Sequence, residues 1–183
     1  ASLTKLMTAY ITFKMVKEAK LKLDQTLIVS EKGWKTEGSR MYLDPKVPAT
    51  VDDLIKGMIV QSGNDACVTL AEAIAGSEEV FAQMMNAEAK RLGLKDSHFT
   101  NSTGLPDPAL HVTTSDLGRL ATAIIKDFPE FYHIYSIKEF KYNNISQPNR
   151  NLLLYRDPFV DGMKTGHTES AGYNLVASTR RDD

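Results

Sequence analysis

Cysteine, long apolar runs and surplus charge are all scarce in this sequence. Cys67 is the single cysteine, so no disulfide can form within the chain. No stretch of about 18 apolar residues occurs, and nothing in the sequence would therefore span a membrane. Lysine and arginine (22) balance aspartate and glutamate (23), for a net charge of −1. That balance argues against nucleic acid or an anionic membrane surface as the main partner.

Two frequent types of catalytic motif are also missing. Gly-x-Ser-x-Gly does not occur, which excludes the nucleophile elbow of the α/β-hydrolases. The four histidines have no spacing typical of a metal site; they are His98, His111, His133 and His167. We therefore predict that the protein uses neither a metal ion nor another cofactor.

The remaining pattern predicts one mixed domain in which helices precede strands. A length of 183 residues suits one domain and is short for two. Residues 3–17 are apolar nearly all the way round, which is typical of a buried helix. Caps and glycine stops predict further helices at 51–60, 65–75, 78–92 and 114–127. Strands are predicted at 27–29, 139–142, 159–165 and 173–179, whereas 33–48 and 101–111 read as irregular. The order predicts an α+β fold.

A serine and a lysine, Ser2 and Lys5, stand three residues apart at the start of the first helix. Positions i and i+3 share one helix face, with Cβ atoms roughly 5–6 Å apart. A serine hydroxyl needs a base, and a desolvated lysine amine can be that base. Backbone N–H groups of the first turn are free to stabilise an oxyanion. A capping serine near an unrelated lysine is the plainer interpretation of this motif alone.

Two further short motifs carry polar groups at the ends of predicted elements. Ser62-Gly63-Asn64 separates two helices, and it would present a hydroxyl and an amide side by side. Lys164-Thr165-Gly166 ends a predicted strand. A lysine and a threonine hydroxyl together can hold a carboxylate, and a following glycine allows close approach of a ligand or backbone. Considered separately, the first motif also fits a plain turn and the second also fits an edge strand.

Taken together, the order Ser-x-x-Lys, Ser-x-Asn, Lys-Thr-Gly is the motif set of penicillin-binding proteins and class A β-lactamases. The sequence resembles the low-molecular-mass D-alanyl-D-alanine carboxypeptidases of the penicilloyl-serine transferase superfamily. The resemblance runs the whole length of the chain and includes residues 1–5, 59–67, 99–105, 147–151 and 160–168. It implies a β-lactamase/transpeptidase-like fold, with a helical cluster packed on an antiparallel sheet.

The resemblance also implies roles for the motif residues in the reaction. Ser2 would be the acylated serine, and Lys5 would be its base. Ser62 would relay a proton to the leaving D-alanine. Backbone N–H groups of Ser2 and His167 would form the oxyanion hole, with no main catalytic role expected for the imidazole of His167.

For substrate binding, the resemblance implies a second set of residues. Asn64 would hold the amide of the substrate, and Lys164 would set the local potential. Thr165 would bind the terminal carboxylate, and Gly166 would allow close approach. Arg150 is expected near the site. The implied partners are peptidoglycan stem peptides that end in D-Ala-D-Ala and the β-lactam antibiotics that mimic them.

Two other functions share the motifs. A class A β-lactamase needs a glutamate for deacylation, but the corresponding loop at 95–110 contains only Asp96 and Asp107 as acids, and the central motif is Ser-Gly-Asn. A β-lactam sensor domain would be acylated without turnover. Release of D-alanine separates the carboxypeptidase from both alternatives.

The resemblance further implies that residues 1–183 form a truncated catalytic domain. Flanking strands of the sheet, a second β-rich domain and a C-terminal amphipathic membrane anchor are expected outside this sequence. The anchor would be the only link to a membrane. The expected location is extracytoplasmic, at the outer face of the bacterial cytoplasmic membrane or in the periplasm.

Overall fold

A computed structural model describes residues 1–181 of the chain. It contains a 3-10 turn at Ser2–Thr4 that continues into α1, and a second 3-10 segment at Tyr132–Ser136. The α-helices are α1 Lys5–Lys17, α2 Glu31–Lys35, α3 Val51–Val60, α4 Asn64–Ala75, α5 Glu78–Leu92, α6 Thr114–Asp127 and α7 Leu153–Arg156. The strands are β1 Thr26–Leu27, β2 Ala49–Thr50, β3 Glu139–Tyr142, β4 Ile145–Pro148, β5 Val160–Thr168 and β6 Gly172–Thr179.

The described strands form three antiparallel pairs, namely β1 with β2, β3 with β4, and β5 with β6. In the last pair, Thr165 lies opposite Leu175 and His167 lies opposite Tyr173. The predicted α+β class is confirmed, with its helices first and its longest hairpin at the end of the chain. None of the helices in residues 1–181 is long and apolar enough to cross a membrane.

Helix α1 lies at the centre of the core, as its apolar surround predicts. Its side chains from Lys5 to Phe13 are all buried. It contacts α3, α4, α5 and α6, which enclose it from several directions. At its C-terminal half, the ring of Phe13 stacks on Phe131 with the centroids 5.0 Å apart. The enclosure removes the charged end of Lys5 from water together with the apolar residues around it.

Local sequence signals set the helix boundaries closely. The side chain of Thr50 accepts a hydrogen bond from the N–H of Asp53, and Thr113 does the same for α6. Ser77 likewise caps α5. Gly76 and Gly93 follow the last residues of α4 and α5 and take positive φ values of 85° and 77°. These caps and stops confirm the predicted helices to within one or two residues.

The sequence prediction differs from the structure in several places. The strand predicted at 27–29 is observed as Thr26–Leu27, and neither β2 nor the 3-10 segment at Tyr132–Ser136 was predicted. The segment 33–48 is not irregular from its start, because Ser30 caps the short helix α2, whose last three residues are 33–35. Strand β4 and helix α7 were not predicted. β4 has few strand-forming residues and ends in a proline, so its signal is weak. It forms because Asn143 and Asn144, with φ values of 49° and 61°, make the tight turn that folds it onto β3.

Candidate active site

The first turn of the chain brings the predicted nucleophile and its base into contact. Ser2 lies in the 3-10 turn and Lys5 is the first residue of α1, so the two side chains share one face. Lys5 Nζ lies 2.8 Å from Ser2 Oγ. The carbonyl oxygen of Thr103 accepts a second hydrogen bond from Lys5 Nζ, also at 2.8 Å. The amine is therefore fixed against the hydroxyl by a contact from a distant loop.

The environment of Lys5 favours its neutral form. The side chain is only 2% exposed. Burial, together with the positive charge of Arg150, lowers the pKa of Lys5 from 10.5 to about 8. Burial also raises the pKa of the neighbouring Cys67 thiol to about 12, so that thiol carries no charge at neutral pH. A lysine in this state can accept the proton of a serine hydroxyl.

A second buried lysine, Lys164, contacts the central motif. Its Nζ donates to Ser62 Oγ at 3.1 Å and to the carbonyl oxygen of Thr165 at 2.8 Å. Burial, together with repulsion from Lys5, holds the pKa of Lys164 well below its usual range. Ser62 takes a left-handed conformation with φ of 57°, which non-glycine residues rarely adopt. Such strained positions cluster at functional sites because the surrounding structure must hold them in place.

Asn64, the first residue of α4, offers an acceptor to a ligand. Its Nδ2 donates to the carbonyl oxygen of Glu37 at 2.7 Å. Its Oδ1 is buried and has no hydrogen-bond partner among residues 1–181. Buried polar atoms are nearly always satisfied in folded proteins, so this oxygen suits the N–H of a bound molecule.

Strand β5 passes directly against the turn that carries Ser2. A Cβ added at Gly166 would lie 2.9 Å from the backbone nitrogen of Ser2, a distance that Cβ atoms essentially never show. Glycine is therefore required for this approach. Thr165 is half-buried on the same strand, and the exposed ring of His167 stacks on Tyr173 with centroids 4.0 Å apart.

Comparisons with known proteins identify the family of the chain. The family model of the peptidase S11 family, described as D-alanyl-D-alanine carboxypeptidase, matches residues 1–183. The chain belongs to this family. It is 47% identical over 190 residues to the D-alanyl-D-alanine carboxypeptidase DacC of Escherichia coli K12, covering 100% of this chain and 48% of that protein. The chain thus spans about half the length of the curated carboxypeptidases that it matches.

Solved structures of penicillin-binding proteins share the fold. Penicillin-binding protein 5 of Haemophilus influenzae superposes with a TM-score of 0.96 at 45% identity, covering 99% of this chain and 54% of that one. Penicillin-binding protein D2 of Listeria monocytogenes, solved in an ampicillin-bound form, gives 0.88 at 31%, covering 99% and 74%. The predicted β-lactamase/transpeptidase-like fold is confirmed.

Arg150 reaches the edge of this carboxypeptidase-family site. Its guanidinium is exposed and donates to Ser39 Oγ at 2.8 Å. Two buried neighbours hold its backbone: Asn149 Nδ2 donates to the carbonyl oxygen of Ile137, and Asn151 Nδ2 donates to that of Gly162 in β5. The charge of Arg150 is close enough to lower the pKa of both buried lysines.

The structure therefore brings Lys5 and Gly166 against Ser2, and Lys164 against Ser62. A cavity of about 650 Å³ lies next to the Ser2–Thr4 turn, lined among others by Leu3, Pro106, His111 and Asn174. Its lining contains neither buried lysine, Ser62 nor Asn64. The reactive side chains of the motifs therefore lie outside this cavity.

Sequence reasoning missed Thr103, because this residue contributes a backbone carbonyl and not a side chain. The adjacent Gly104 was a signal that this loop approaches another part of the backbone closely. Gly104 has φ of 87°, and a Cβ there would lie 2.0 Å from the carbonyl oxygen of Ala1. The loop is also fixed by Thr8 Oγ1, which donates to the carbonyl oxygen of Ser102 at 2.7 Å. The loop at 101–111 is thus held against Lys5, the predicted general base.

Proposed function

We propose that this protein is a serine-type D-Ala-D-Ala carboxypeptidase that acts through an acyl-enzyme on Ser2. The observation that carries the proposal is the contact between Ser2 Oγ and the Lys5 amine at 2.8 Å. The amine is buried, and its pKa is lowered to about 8. Family membership and the 47% identity to a curated carboxypeptidase support the same reaction.

In the acylation step, Ser2 Oγ attacks the carbonyl carbon of the penultimate D-alanine while Lys5 takes the hydroxyl proton. Backbone N–H groups of Ser2 and His167 receive the developing oxyanion. The peptide C–N bond then breaks, and Ser62 passes a proton to the nitrogen of the departing D-alanine. The hydrogen bond from Lys164 to Ser62 supports this relay, since Lys164 fixes the hydroxyl and can return a proton to it. Water then hydrolyses the ester and restores Ser2.

Substrate binding uses the groups around the nucleophile. Asn64 Oδ1 accepts the N–H of the substrate's amide, which gives that buried oxygen its missing partner. Thr165 donates to the terminal carboxylate, and the positive charge of Arg150 favours a carboxylate there. Lys164 sets the local potential through its buried amine. Gly166 lets the strand and the substrate backbone lie close to Ser2.

We further propose that β-lactams acylate Ser2, because their strained amide mimics the D-Ala-D-Ala bond. The ampicillin-bound Listeria relative supports this expectation. The natural partner is then the peptidoglycan stem peptide ending in D-Ala-D-Ala, and the protein acts outside the cytoplasm, where that polymer lies. Residues 1–183 form its catalytic domain, with flanking strands, a β-rich domain and a membrane anchor expected in other parts of the protein.

Release of D-alanine tests the proposal directly. The protein should liberate D-alanine from an N-acylated peptide ending in Lys-D-Ala-D-Ala, and Ser2→Ala should abolish the release. The same peptide ending in L-Ala-L-Ala serves as the control and should stay intact. Stable acylation by penicillin without release would identify a sensor domain, and rapid repeated hydrolysis of penicillin would identify a β-lactamase.

A further inference from the structure

One irregular segment, residues 36–43, runs beside the active site and is here named the strap. Several elements hold it by hydrogen bonds. The backbone N–H of Asn64 donates to the carbonyl oxygen of Ser39 at 2.7 Å. From β4, Gln147 Nε2 donates to the carbonyl oxygen of Arg40 at 2.8 Å. Having no regular structure of its own, the strap depends on such hydrogen bonds for its position.

Two more hydrogen bonds to the strap come from Asp65, a residue that the proposed mechanism does not use. Its carboxylate is 1% exposed. Oδ1 accepts from the N–H of Met41, and Oδ2 accepts from the N–H of Leu43, both at 3.0 Å. Oδ1 also accepts from the N–H of Ala66 in the first turn of α4, where an anion is favoured. Both oxygens are therefore required, since an amide would present a donor to one of the two strap N–H groups.

The strap in turn contacts two of the substrate-binding residues. The carbonyl oxygen of Glu37 accepts from Asn64 Nδ2, and Ser39 Oγ accepts from Arg150. If the strap shifts, the Asn64 amide loses its orientation and Arg150 loses its contact. Ser2 and Lys5 have no hydrogen bond to the strap among those found in residues 1–181.

From these contacts, we infer that Asp65 is a positioning residue that acts through the strap on Asn64 and Arg150, and so controls binding of the substrate. The inference rests on the proposed carboxypeptidase function. The inference predicts that substrate binding and the rate of the chemical step respond differently to a change at Asp65. Loosening the strap should weaken binding of the D-Ala-D-Ala peptide while the chemistry between Ser2 and Lys5 remains.

The test is Asp65→Asn, assayed by D-alanine release. We expect the half-saturating peptide concentration to rise about tenfold while the limiting rate stays within about threefold of wild type. Assays belong at a pH above the titration of Lys5, because the Asp65 charge also raises the pKa of Lys5. Asp116→Asn is the matched control. Asp116 is a 3% exposed carboxylate in the first turn of α6, where it holds Asp96 N and Ser97 Oγ. Asp116→Asn should leave the half-saturating peptide concentration and the limiting rate both within about twofold of wild type.

A double-mutant cycle with Ser39→Ala tests whether the effect of Asp65 reaches Arg150 through Ser39 of the strap. Ser39→Ala removes the contact to Arg150, so adding Asp65→Asn should cost less than its effect alone. Asp116→Asn should instead be additive with Ser39→Ala. A rise in half-saturation that is equal for both aspartate variants, or a loss confined to the limiting rate, would overturn the inference. Additivity of Asp65→Asn with Ser39→Ala would overturn it as well.

Trypsin cleavage of the strap and a second variant, Gln147→Met, test the inference independently of whether Asp65→Asn is active or folds. Trypsin should cut after Arg40 faster in Asp65→Asn than in wild type, and this readout stands even if no D-alanine is released. Absence of release by wild type would refute the proposed function alone, whereas unchanged cleavage after Arg40 would refute the strap tie. If Asp65→Asn does not fold, Gln147→Met removes another tie and should give a smaller rise in half-saturation. No rise in that variant would count against the inference.

Discussion

Lys5 Nζ and Ser2 Oγ lie 2.8 Å apart at the junction between a 3-10 turn and α1. The helix supplies the spacing, but it does not supply the burial. Lys5 is 2% exposed because α3, α4 and the loop that carries Thr103 enclose it. An exposed lysine at the same spacing would keep its usual pKa, and a far smaller fraction of its amine would be neutral and able to act as a base at a given pH.

The first prediction is that penicillin forms a covalent adduct on Ser2. After trypsin digestion, mass spectrometry should find the added mass on the peptide that ends at Lys5. The peptide from Gly57 to Lys90, which carries Ser62, provides the internal control because Ser62 is the second serine among the proposed catalytic residues. An adduct on that peptide would reassign the nucleophile.

The second prediction concerns the identity of the base. Lys5→Arg keeps a positive charge, but a guanidinium cannot accept a proton at any accessible pH. We expect a folded protein whose acylation by penicillin falls by several orders of magnitude, measured with a fluorescent penicillin. Lys17→Arg, on the exposed end of α1, is the matched control and should react as wild type does. Acylation of Lys5→Arg at a near wild-type rate would rule out this role.

The third prediction is a pH dependence that follows from the lowered pKa of Lys5. The neutral amine is the active form, so the acylation rate should rise by about tenfold per pH unit below its pKa and level off above it. The transition is expected near pH 8. Because the charge of Arg150 lowers this pKa, Arg150→Gln should move the transition to higher pH. A rate that is independent of pH across this range would contradict a lysine base.

The fourth prediction concerns recognition of the substrate carboxylate. Thr165→Val keeps the shape of the side chain and removes its donor, at a cost of roughly 1.5–3 kcal/mol in binding of the transition state. The loss should appear as a lower kcat/KM for the D-Ala-D-Ala peptide. A peptide with an amidated C-terminus is the control and should lose much less. Equal losses for both peptides would assign Thr165 a different task.

The fifth prediction concerns the 183-residue chain studied on its own. Within residues 1–181, β6 pairs only with β5, while Tyr173 is 89% exposed and Leu175 is 48% exposed on it. Unpaired apolar strands associate with other strands. We expect this chain to self-associate, as measured by light scattering, and Leu175→Lys to reduce the association. A stable monomer with a cooperative melt and carboxypeptidase turnover would show that the chain needs no neighbouring strands.

The sequence by itself determined the five long helices, α1 and α3 to α6, and the motifs of the site. Thr50, Ser77 and Thr113 cap their helices through contacts that span three residues, and Gly76 and Gly93 end theirs locally. The Ser2–Lys5 contact is local in the same sense. Such features can be read from sequence because the interacting groups lie within one turn of each other.

The tertiary structure alone decided how the distant motifs meet and what state their groups take. Lys164 reaches Ser62 across 102 positions of the chain, and Thr103 reaches Lys5 across 98. The tie of Asp65 to the strap also gave no sequence signal, since its partners are backbone N–H groups. Depression of the lysine pKa values comes from burial and from neighbouring cations. These effects depend on the packing of elements far apart in sequence, which no local pattern encodes.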